Sequence, residues 1–232
     1  ITSVRSLIVS LSRYPLFRVR RKFDVWHSMN QNTRIEPAYD LPYLTTIHDV
    51  NFIKETFGDE LKKRKKAFNE KLQRSSSLVY ISEFAKKSTH ENFVVPNIPE
   101  RVIYNGNPIL KATEYNFDGF NPRANLKDSS YIYTIGQMFE KKNFHTLVEM
   151  MMFLPNLKLV IAGKNNLAYA DKVRALIKQL NLENRVFLLG EITEKEKYYH
   201  YKKCRAFVFP SLLEGFGIPP IEAMSFGKPI FL

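Results

Sequence analysis

Two glutamates flank a glycine-containing turn near the end of this 232-residue chain. Glu214 opens the turn at residues 215–217, and Pro219 and Pro220 then begin a predicted helix that carries Glu222. Proline is tolerated in the first helical turn, because its missing N–H would have no partner within the helix. The free N–H groups and the positive dipole end of this helix predict a site for an anion such as a diphosphate. Glu222 lies close enough to the same end to reach the hydroxyls of a ligand.

A parallel sheet is expected to position these residues. Short β-branched or aromatic runs alternate with polar, helix-patterned stretches, and this alternation predicts a sheet covered by helices. The strands predicted in the second half of the chain are 131–136, 158–163, 185–190, 206–211 and 229–232. The helices predicted between them are 143–153, 169–180, 193–203 and 219–226. Three of these strands end in glycine, which suits a tight turn or a close approach of two backbones.

The first half of the chain is less regular. Its predicted strands are 23–28, 43–48, 77–82 and 101–106, and a charged helix at 58–74 separates the second from the third. Residues 107–130 lack either periodicity and contain Pro, Gly, Asn and Asp, which predicts an interdomain linker. We therefore predict a partial N-terminal domain at 1–106 and a C-terminal domain at 131–232. Because the chain begins without Met and stops in an apolar run, we expect part of both ends to be missing.

The chain is strongly basic. It contains 35 Lys and Arg against 23 Asp and Glu, for a net charge of +12. A basic surface favours phosphates, which belong to nucleic acids, anionic lipid headgroups or nucleotides. The run at residues 62–66 is interpreted as the solvated face of a helix. Cys204 is the single cysteine, so no internal disulfide is expected and a reducing compartment is favoured. The start of the chain, residues 1–17, does not resemble a signal peptide, and no apolar run is long enough to span a membrane.

Several motifs together resemble one family. The segment SLLEGFGIPPIEAMSFGKPI, with Glu214 and Glu222 in an E-x7-E arrangement, resembles the nucleotide-sugar loop of retaining glycosyltransferases of the GT-B fold, family 4. The family's basic loop is matched by YIYTIGQMFEKKNF, and SLVYISEFAKKS, VIYNGN and LTTIHDVNF resemble its other segments, so the resemblance covers most of the chain. It implies an α/β fold class with two Rossmann-like domains facing a cleft, the first of them apparently incomplete.

The resemblance also implies residue roles. Glu222 would accept hydrogen bonds from the ribose hydroxyls of the donor, and Glu214 would lie beside the transferred sugar. Lys142 matches the lysine that neutralises the leaving diphosphate, and His48 matches the histidine close to the reacting sugar. The catalytic residues implied are therefore His48, Lys142 and Glu214. The donor-binding positions implied are Gly136, Gln137, Lys142, Glu214, Gly215, Phe216, Gly217, Ile218 and Glu222.

One position departs from the family. Gln137 stands where the family usually has Arg, so half of its cationic clamp is absent, and Lys141 is a candidate to supply the missing charge. Breaking a glycosyl phosphate bond leaves negative charge on a diphosphate, which preorganised cations and N–H donors stabilise. A metal is then unnecessary, and the sequence contains no DxD pair or HExxH cluster to suggest one.

The implied function is that of a retaining, metal-independent, hexosyltransferase-like enzyme of polysaccharide biosynthesis. A nucleotide-diphosphate sugar serves as donor substrate and no cofactor is expected, while the acceptor is a hydroxyl of a glycan or a lipid-linked saccharide. We expect a cytoplasmic location, leave open peripheral contact with the anionic inner face of a membrane, and expect no specific nucleic acid. Two alternatives stay open: a noncatalytic nucleotide-sugar binder, suggested by Gln137 and the expected truncations, and a basic module that binds nucleic acid or another anionic surface.

Overall fold

The structure, a computed structural model, describes residues 14–109, 114–123, 126 and 130–232. The chain divides into a first unit, Ile1–Asn105, and a second unit, Gly106–Leu232. Residues 1–13, which make up most of the segment tested for a signal peptide, lie outside the described residues. Within the part that the structure describes, no helix combines the length and the apolar character needed to cross a lipid bilayer.

The first unit contains a four-stranded parallel sheet in the order β1-β2-β3-β4. Its strands are β1 (Trp26–Ser28), β2 (Tyr43–Ile47), β3 (Ser77–Tyr80) and β4 (Glu100–Val102). Its helices are α1 (Phe52–Glu55), α2 (Gly58–Arg74) and α3 (Glu83–Asn92), preceded by a short 3-10 helix at Pro15–Phe17. The run at 62–66 is exposed on α2, as predicted.

A single apolar cluster holds the described sheet and helices of the first unit together. It combines Ile47 and Tyr80 from the strands with Phe68 and Leu72 from α2, all of them buried. The helix α3 is not among the predicted elements, because its sequence EFAKKSTHEN is short and mostly polar. Its N-terminus is fixed by Ser82, whose hydroxyl oxygen accepts a hydrogen bond from the backbone N–H of α3 residue 85 at 3.0 Å.

The second unit contains a five-stranded parallel sheet in the order β7-β6-β5-β8-β9. Its strands are β5 (Tyr131–Ile135), β6 (Lys158–Ala162), β7 (Val186–Gly190), β8 (Ala206–Val208) and β9 (Ile230–Phe231). Its helices are α4 (Phe144–Met150), α5 (Ala168–Gln179), α6 (Glu194–Lys203) and α7 (Ile218–Ser225), with 3-10 turns at Glu140–Lys142 and Met151–Phe153. Every strand predicted from the sequence overlaps a strand of the structure.

Helices cover both faces of this sheet. On one face, alternate strand residues such as Ile132 pack with α4 and α5. On the other face, Tyr131 and Tyr133 pack with α6 and α7 in a cluster rich in aromatic side chains. Because both faces of the strands are buried, their sequences read as continuous apolar runs rather than as alternating ones.

The segment predicted as a linker, 107–130, belongs to the second unit. Ile109 and Leu126 are buried in the aromatic cluster, and Tyr115 and Phe117 pack against it. Single apolar residues at irregular spacing therefore hold the described part of this segment, and such spacing leaves no periodic signal in the sequence. Positions 110–113, 124–125 and 127–129 of the predicted linker lie outside the described residues.

Candidate active site

The order of the strands in the second unit marks a place for a ligand. From β5 the chain proceeds through β6 and β7 on one side of the sheet, and it then crosses to β8 and β9 on the other side. In open parallel sheets, ligands bind outside the carboxyl ends of the strands at such a point of reversal. The two loops beside this point are 136–143, after β5, and 209–217, after β8.

These two loops meet through predicted site residues. The ammonium group of Lys142 contacts the carboxylate oxygen Oε1 of Glu214. The loops are also joined through their backbones, because the N–H of Leu212 donates to the carbonyl oxygen of Lys141 at 2.8 Å. Two residues to which the family resemblance gives roles on one donor therefore lie in direct contact at the reversal point.

Local backbone structure places the Lys142 side chain. After Gly136 the chain forms the 3-10 turn Glu140–Lys142, which ends at Asn143 in the left-handed conformation, with φ of 56°. The aliphatic stem of Lys142 lies over Gly136, with Cδ 3.5 Å from the position that a Cβ on this glycine would occupy. The ammonium nitrogen lies 5.2 Å from the ring centroid of Phe209, within the range of a cation–π contact. The side chain of Lys142 is only 13% exposed.

The glycines that end β5 and β6 allow a close backbone approach, as predicted. Gly163 has φ of 124°, and a Cβ at this position would lie 2.0 Å from the carbonyl oxygen of Gly136. The N–H of Gly136 donates in turn to the carbonyl oxygen of Ala162 at 3.0 Å. A residue larger than glycine at 163 would therefore displace the loop that carries Lys142.

The loop after β8 leads directly into α7. Gly217 precedes the helix with φ of 85° and ψ of 55°, a left-handed conformation that favours glycine, and the prolines follow in the first turn of the helix. Gly215, Phe216 and Gly217 are half-buried, whereas Ile218 is exposed. The first turn of α7 carries no acidic residue that would compete for an anion at the helix N-terminus.

Glu222 lies in α7, with its side chain nearly buried, at 6% exposure. Both carboxylate oxygens have partners on α6. Oε1 accepts a hydrogen bond from the ammonium group of Lys197 at 2.7 Å, and Oε2 accepts one from the hydroxyl of Tyr201 at 2.8 Å. Neither partner was predicted from the sequence. The only available signal was their i, i+4 spacing, which places both side chains on one face of α6.

The two other predicted positions in the basic loop differ in environment. Gln137 is exposed, and its backbone carbonyl accepts a hydrogen bond from the N–H of Phe139 at 2.8 Å. Lys141 is half-buried, and its carbonyl oxygen forms the bond that joins the two loops. Its role as a substitute for the missing arginine stays a prediction.

His48 lies in the first unit, immediately after β2. Its ring Nε2 donates to the carbonyl oxygen of Met29 at 2.9 Å. The buried side chain of Gln31 holds the backbone on both sides: its Oε1 accepts from the N–H of His48 at 2.9 Å, and its Nε2 donates to the carbonyl oxygen of Asp49 at 2.7 Å. Gln31 was not predicted, because a clamp between distant segments leaves no local pattern in the sequence.

The described residues show no metal site. Among residues 14–109, 114–123, 126 and 130–232, no three His, Cys, Asp or Glu side chains are arranged to hold a metal ion.

Cys204 is buried, and burial raises the pKa of its thiol to about 12. This thiol therefore stays protonated at neutral pH and is a poor nucleophile.

Comparisons with known proteins relate the second unit to a protein family. Residues 119–232 match the family model of group 1 glycosyl transferases. The O-antigen chain mannosyltransferase RfbU of Salmonella typhimurium is 26% identical over 196 residues, which are 81% of this chain and 50% of the relative. The N-acetylgalactosamine-N,N'-diacetylbacillosaminyl-diphospho-undecaprenol 4-alpha-N-acetylgalactosaminyltransferase of Campylobacter jejuni is 40% identical over 101 residues, or 43% of this chain and 26% of the relative.

Solved structures confirm the fold class. The structure of Anabaena HepE in complex with UDP and glucose matches 97% of this chain and 62% of its own, with a TM-score of 0.70 at 16% identity. The chain thus spans about half the length of RfbU and less than two thirds of HepE. The α/β architecture with parallel sheets is that of the GT-B glycosyltransferases. The family match includes both loops that carry Lys142 and Glu214. The part of the chain from residue 119 to residue 232 belongs to the group 1 glycosyl transferases.

Proposed function

We propose that this chain is part of a retaining glycosyltransferase that transfers a hexosyl group from a nucleotide-diphosphate sugar to an acceptor hydroxyl. The observation that carries the proposal is the contact between Lys142 and Glu214 at the strand reversal of the second unit. A lysine and a glutamate in contact there offer a cation for a phosphate and an acceptor for sugar hydroxyls. The start of α7 adds the positive end of the helix dipole and the backbone N–H of Ile218, since Pro219 and Pro220 in the same turn carry no N–H.

Lys142 would act mainly on the leaving group. As the bond between the anomeric carbon and the phosphate oxygen breaks, negative charge develops on the diphosphate. A cation that is already held in place stabilises this charge without further reorganisation, and it does so more strongly where water is excluded. In the structure the ammonium group of Lys142 forms an ion pair with Glu214, so a diphosphate would compete with Glu214 for this ammonium group. No metal ion enters this proposal, because the charge of Lys142 and the dipole of α7 would stabilise the leaving group.

Glu222 would bind the ribose of the donor, and Glu214 would contact the transferred sugar. Released from Lys142, the Glu214 carboxylate would be able to accept hydrogen bonds from sugar hydroxyls. For a retaining transfer, the acceptor hydroxyl attacks the anomeric carbon from the face that the diphosphate leaves. Its proton then passes to the departing phosphate oxygen, which is the nearest base on that face.

The relatives support an acceptor in polysaccharide biosynthesis. The name of RfbU refers to the O-antigen chain, and that of the Campylobacter jejuni relative refers to a diphospho-undecaprenol. HepE was solved with UDP and glucose. We therefore propose a glycan or a lipid-linked saccharide as acceptor. The cytoplasmic location stays a proposal from the sequence, and peripheral contact with an anionic membrane stays open.

A ligand screen tests the proposal directly. The melting temperature of the protein would be measured with UDP, GDP, ADP and their sugars, because a ligand that binds only the folded state raises it. We expect one nucleotide series to raise the melting temperature and the matching sugar to be transferred to a glycan acceptor. Binding without transfer would favour the noncatalytic binder. Absence of a shift with every nucleotide, together with nucleic-acid binding that falls steeply with salt, would favour the basic module instead.

A further inference from the structure

The carboxylate of Glu222 is held by α6 rather than by either loop of the candidate site. Its Oε1 is bound by Lys197 at 2.7 Å and its Oε2 by Tyr201 at 2.8 Å. A charged group with so little exposure is costly to bury unless it is paired and hydrogen-bonded, so these two donors stabilise it. They also fix the plane of the carboxylate, because each one engages a different oxygen.

The pairing does not use up the hydrogen-bond acceptor capacity of Glu222. A carboxylate has about four lone-pair sites, so two donors leave roughly two acceptor sites. A ribose offers two adjacent hydroxyl donors, at its 2′ and 3′ positions. The number of remaining acceptor sites therefore matches the number of donors on a ribose.

The two donors are held by different means. Tyr201 is fully buried among aromatic rings, 5.3 Å from that of Phe207 and 5.8 Å from that of Phe226. Burial raises the pKa of the Tyr201 hydroxyl well above its usual value, so it keeps its proton and donates. Lys197 is 20% exposed and lies 4.8 Å from the ring centroid of Tyr198. Lys197 is thus the only one of the two that supplies a countercharge, and it lies partly at the surface.

We propose that Lys197 is a positioning residue for the nucleotide ribose: it orients the Glu222 carboxylate and balances its charge, so that the free lone pairs accept the two ribose hydroxyls. This role rests on the proposed function. Lys197 does not touch the ligand in this arrangement. Its loss should weaken only the part of the binding that depends on the ribose hydroxyls.

The test uses a pair of ligands that differ only in those hydroxyls. The tightest binder among UDP, GDP and ADP and its 2′,3′-dideoxy counterpart are titrated calorimetrically into wild type, Lys197→Met, Lys197→Arg and Lys203→Met. Lys203 is the matched control, because it lies exposed on the same helix. Lys197→Met should lose about tenfold in affinity for the ribonucleotide, as expected when a charge-assisted hydrogen bond is misplaced. Its affinity for the dideoxynucleotide should stay within about twofold of wild type.

Two controls separate positioning from general damage. Lys197→Arg keeps the charge and should recover most of the ribonucleotide affinity, while Lys203→Met should behave as wild type. Melting temperatures report whether each variant folds. If Lys197→Met does not fold, Lys197→Gln takes its place, since it keeps a donor without the charge.

Each contrary result points to a different cause. An equal loss for both ligands would mean that Lys197 only supports the structure, and the proposal would be overturned. Unchanged ribonucleotide affinity in Lys197→Met, with reduced affinity in Glu222→Gln, would remove the role of Lys197 and leave the proposed function intact. Failure of all three nucleotides to bind wild type would overturn the proposed function, and this role with it.

Discussion

A glutamate, a lysine and a tyrosine meet in each of the two units. In the first unit, the carboxylate of Glu36 accepts hydrogen bonds from the hydroxyl of Tyr43 at 2.6 Å and forms an ion pair with Lys71 at 3.1 Å. Tyr43 is the first residue of β2, and Lys71 lies near the end of α2. In the second unit, Glu222 lies on α7 and its two partners lie on α6.

The polar atoms of Glu36, Tyr43 and Lys71, the first group, are already paired within the protein and offer few sites to a ligand. The ammonium group of Lys71 also donates to the carbonyl oxygen of Thr33 and to the hydroxyl of Ser28, and Arg74 adds a second cation to Glu36 at 3.3 Å. Burial lowers the pKa of Lys71, and the charge of Glu36 opposes this shift. This network attaches the segment before β2 to α2, so its role is structural.

The same three side-chain types thus occur in two sheets that differ in strand order. Ligands bind at the carboxyl edge, where helix N-termini and loops converge. In the second unit the strand order reverses between β5 and β8, whereas the described strands of the first unit follow one another in sequence without a reversal. The strand reversal beside which ligands bind in such sheets is therefore present in the second unit and absent from the described part of the first sheet.

The largest expected effect is on the stability of the first group. Lys71→Met removes one partner of a buried ion pair and should lower the free energy of unfolding by about 3 kcal/mol, because Glu36 keeps only Arg74 and Tyr43. Nucleotide affinity should not change. Urea unfolding followed by the fluorescence of Trp26, the single tryptophan, would report this loss in the first unit.

The matched control for this variant is Lys62→Met. Lys62 lies on the same helix with its side chain 82% exposed, and its pair with Asp59 is a surface pair. Its loss should change stability by no more than about 0.5 kcal/mol. Equal effects of the two substitutions would show that burial of the Lys71 pair does not decide its contribution.

The next effect concerns turnover in the second unit. Lys142→Met keeps the length and packing of the side chain over Gly136 and Phe209 but removes its charge. If Lys142 neutralises the departing diphosphate, sugar transfer should fall roughly a hundredfold, as it does when other preorganised donors are removed. Initial rates of sugar transfer with saturating donor would measure this loss.

The exposed Lys178, near the end of α5, provides the control for charge removal. Lys178→Met should transfer sugar at the wild-type rate. Gln137→Arg should raise the rate, since it restores the cation that the family usually has beside Lys142. Full activity in Lys142→Met would mean that the basic loop of the family has been matched to the wrong residue.

A smaller effect separates the two glutamates. Glu222→Gln should weaken nucleotide affinity about tenfold, because it removes the charge from hydrogen bonds to the ribose. Glu36→Gln should leave this affinity unchanged and lower stability instead. Glu222→Gln should cost less stability than Glu36→Gln, since Lys197 is partly exposed and can turn towards water, whereas Lys71 is only 8% exposed. Calorimetric titration and urea unfolding of both variants test this crossed pattern, and a loss of affinity in both would contradict it.

The sequence was sufficient to predict the strands, and the family resemblance named Lys142 and Glu214 without predicting their contact. Alternating β-branched and polar runs are local, and the motifs around Lys142 and Glu214 follow two of those strands. Their contact also requires β5 and β8 to be neighbours in the sheet, which no local pattern indicates. The partners of Glu222 depend instead on how α6 packs against α7. That packing is decided by aromatic residues such as Tyr201 and Phe226, which show no pattern that pairs them in the sequence. The described part of 107–130 packs on the second unit through Ile109, Tyr115, Phe117 and Leu126, and this packing likewise leaves no local pattern in the sequence.

The smallest expected effect concerns His48, and it tests whether nucleotide binding belongs to the second unit alone. His48→Gln keeps a side-chain donor for the carbonyl oxygen of Met29. The Gln31 side chain binds the backbone of His48 rather than its ring, so the local fold should persist.

Nucleoside diphosphate affinity of His48→Gln should stay within about twofold of wild type, since the groups proposed to bind the diphosphate and the ribose all lie in the second unit. Sugar transfer should nevertheless fall if His48 lies close to the reacting sugar, as the family resemblance predicts. Calorimetry with the nucleotide and a transfer assay on the same preparation measure the two quantities separately. A tenfold loss of nucleotide affinity in His48→Gln would contradict the contrast between the units, because the first unit would then contribute to binding the nucleotide itself.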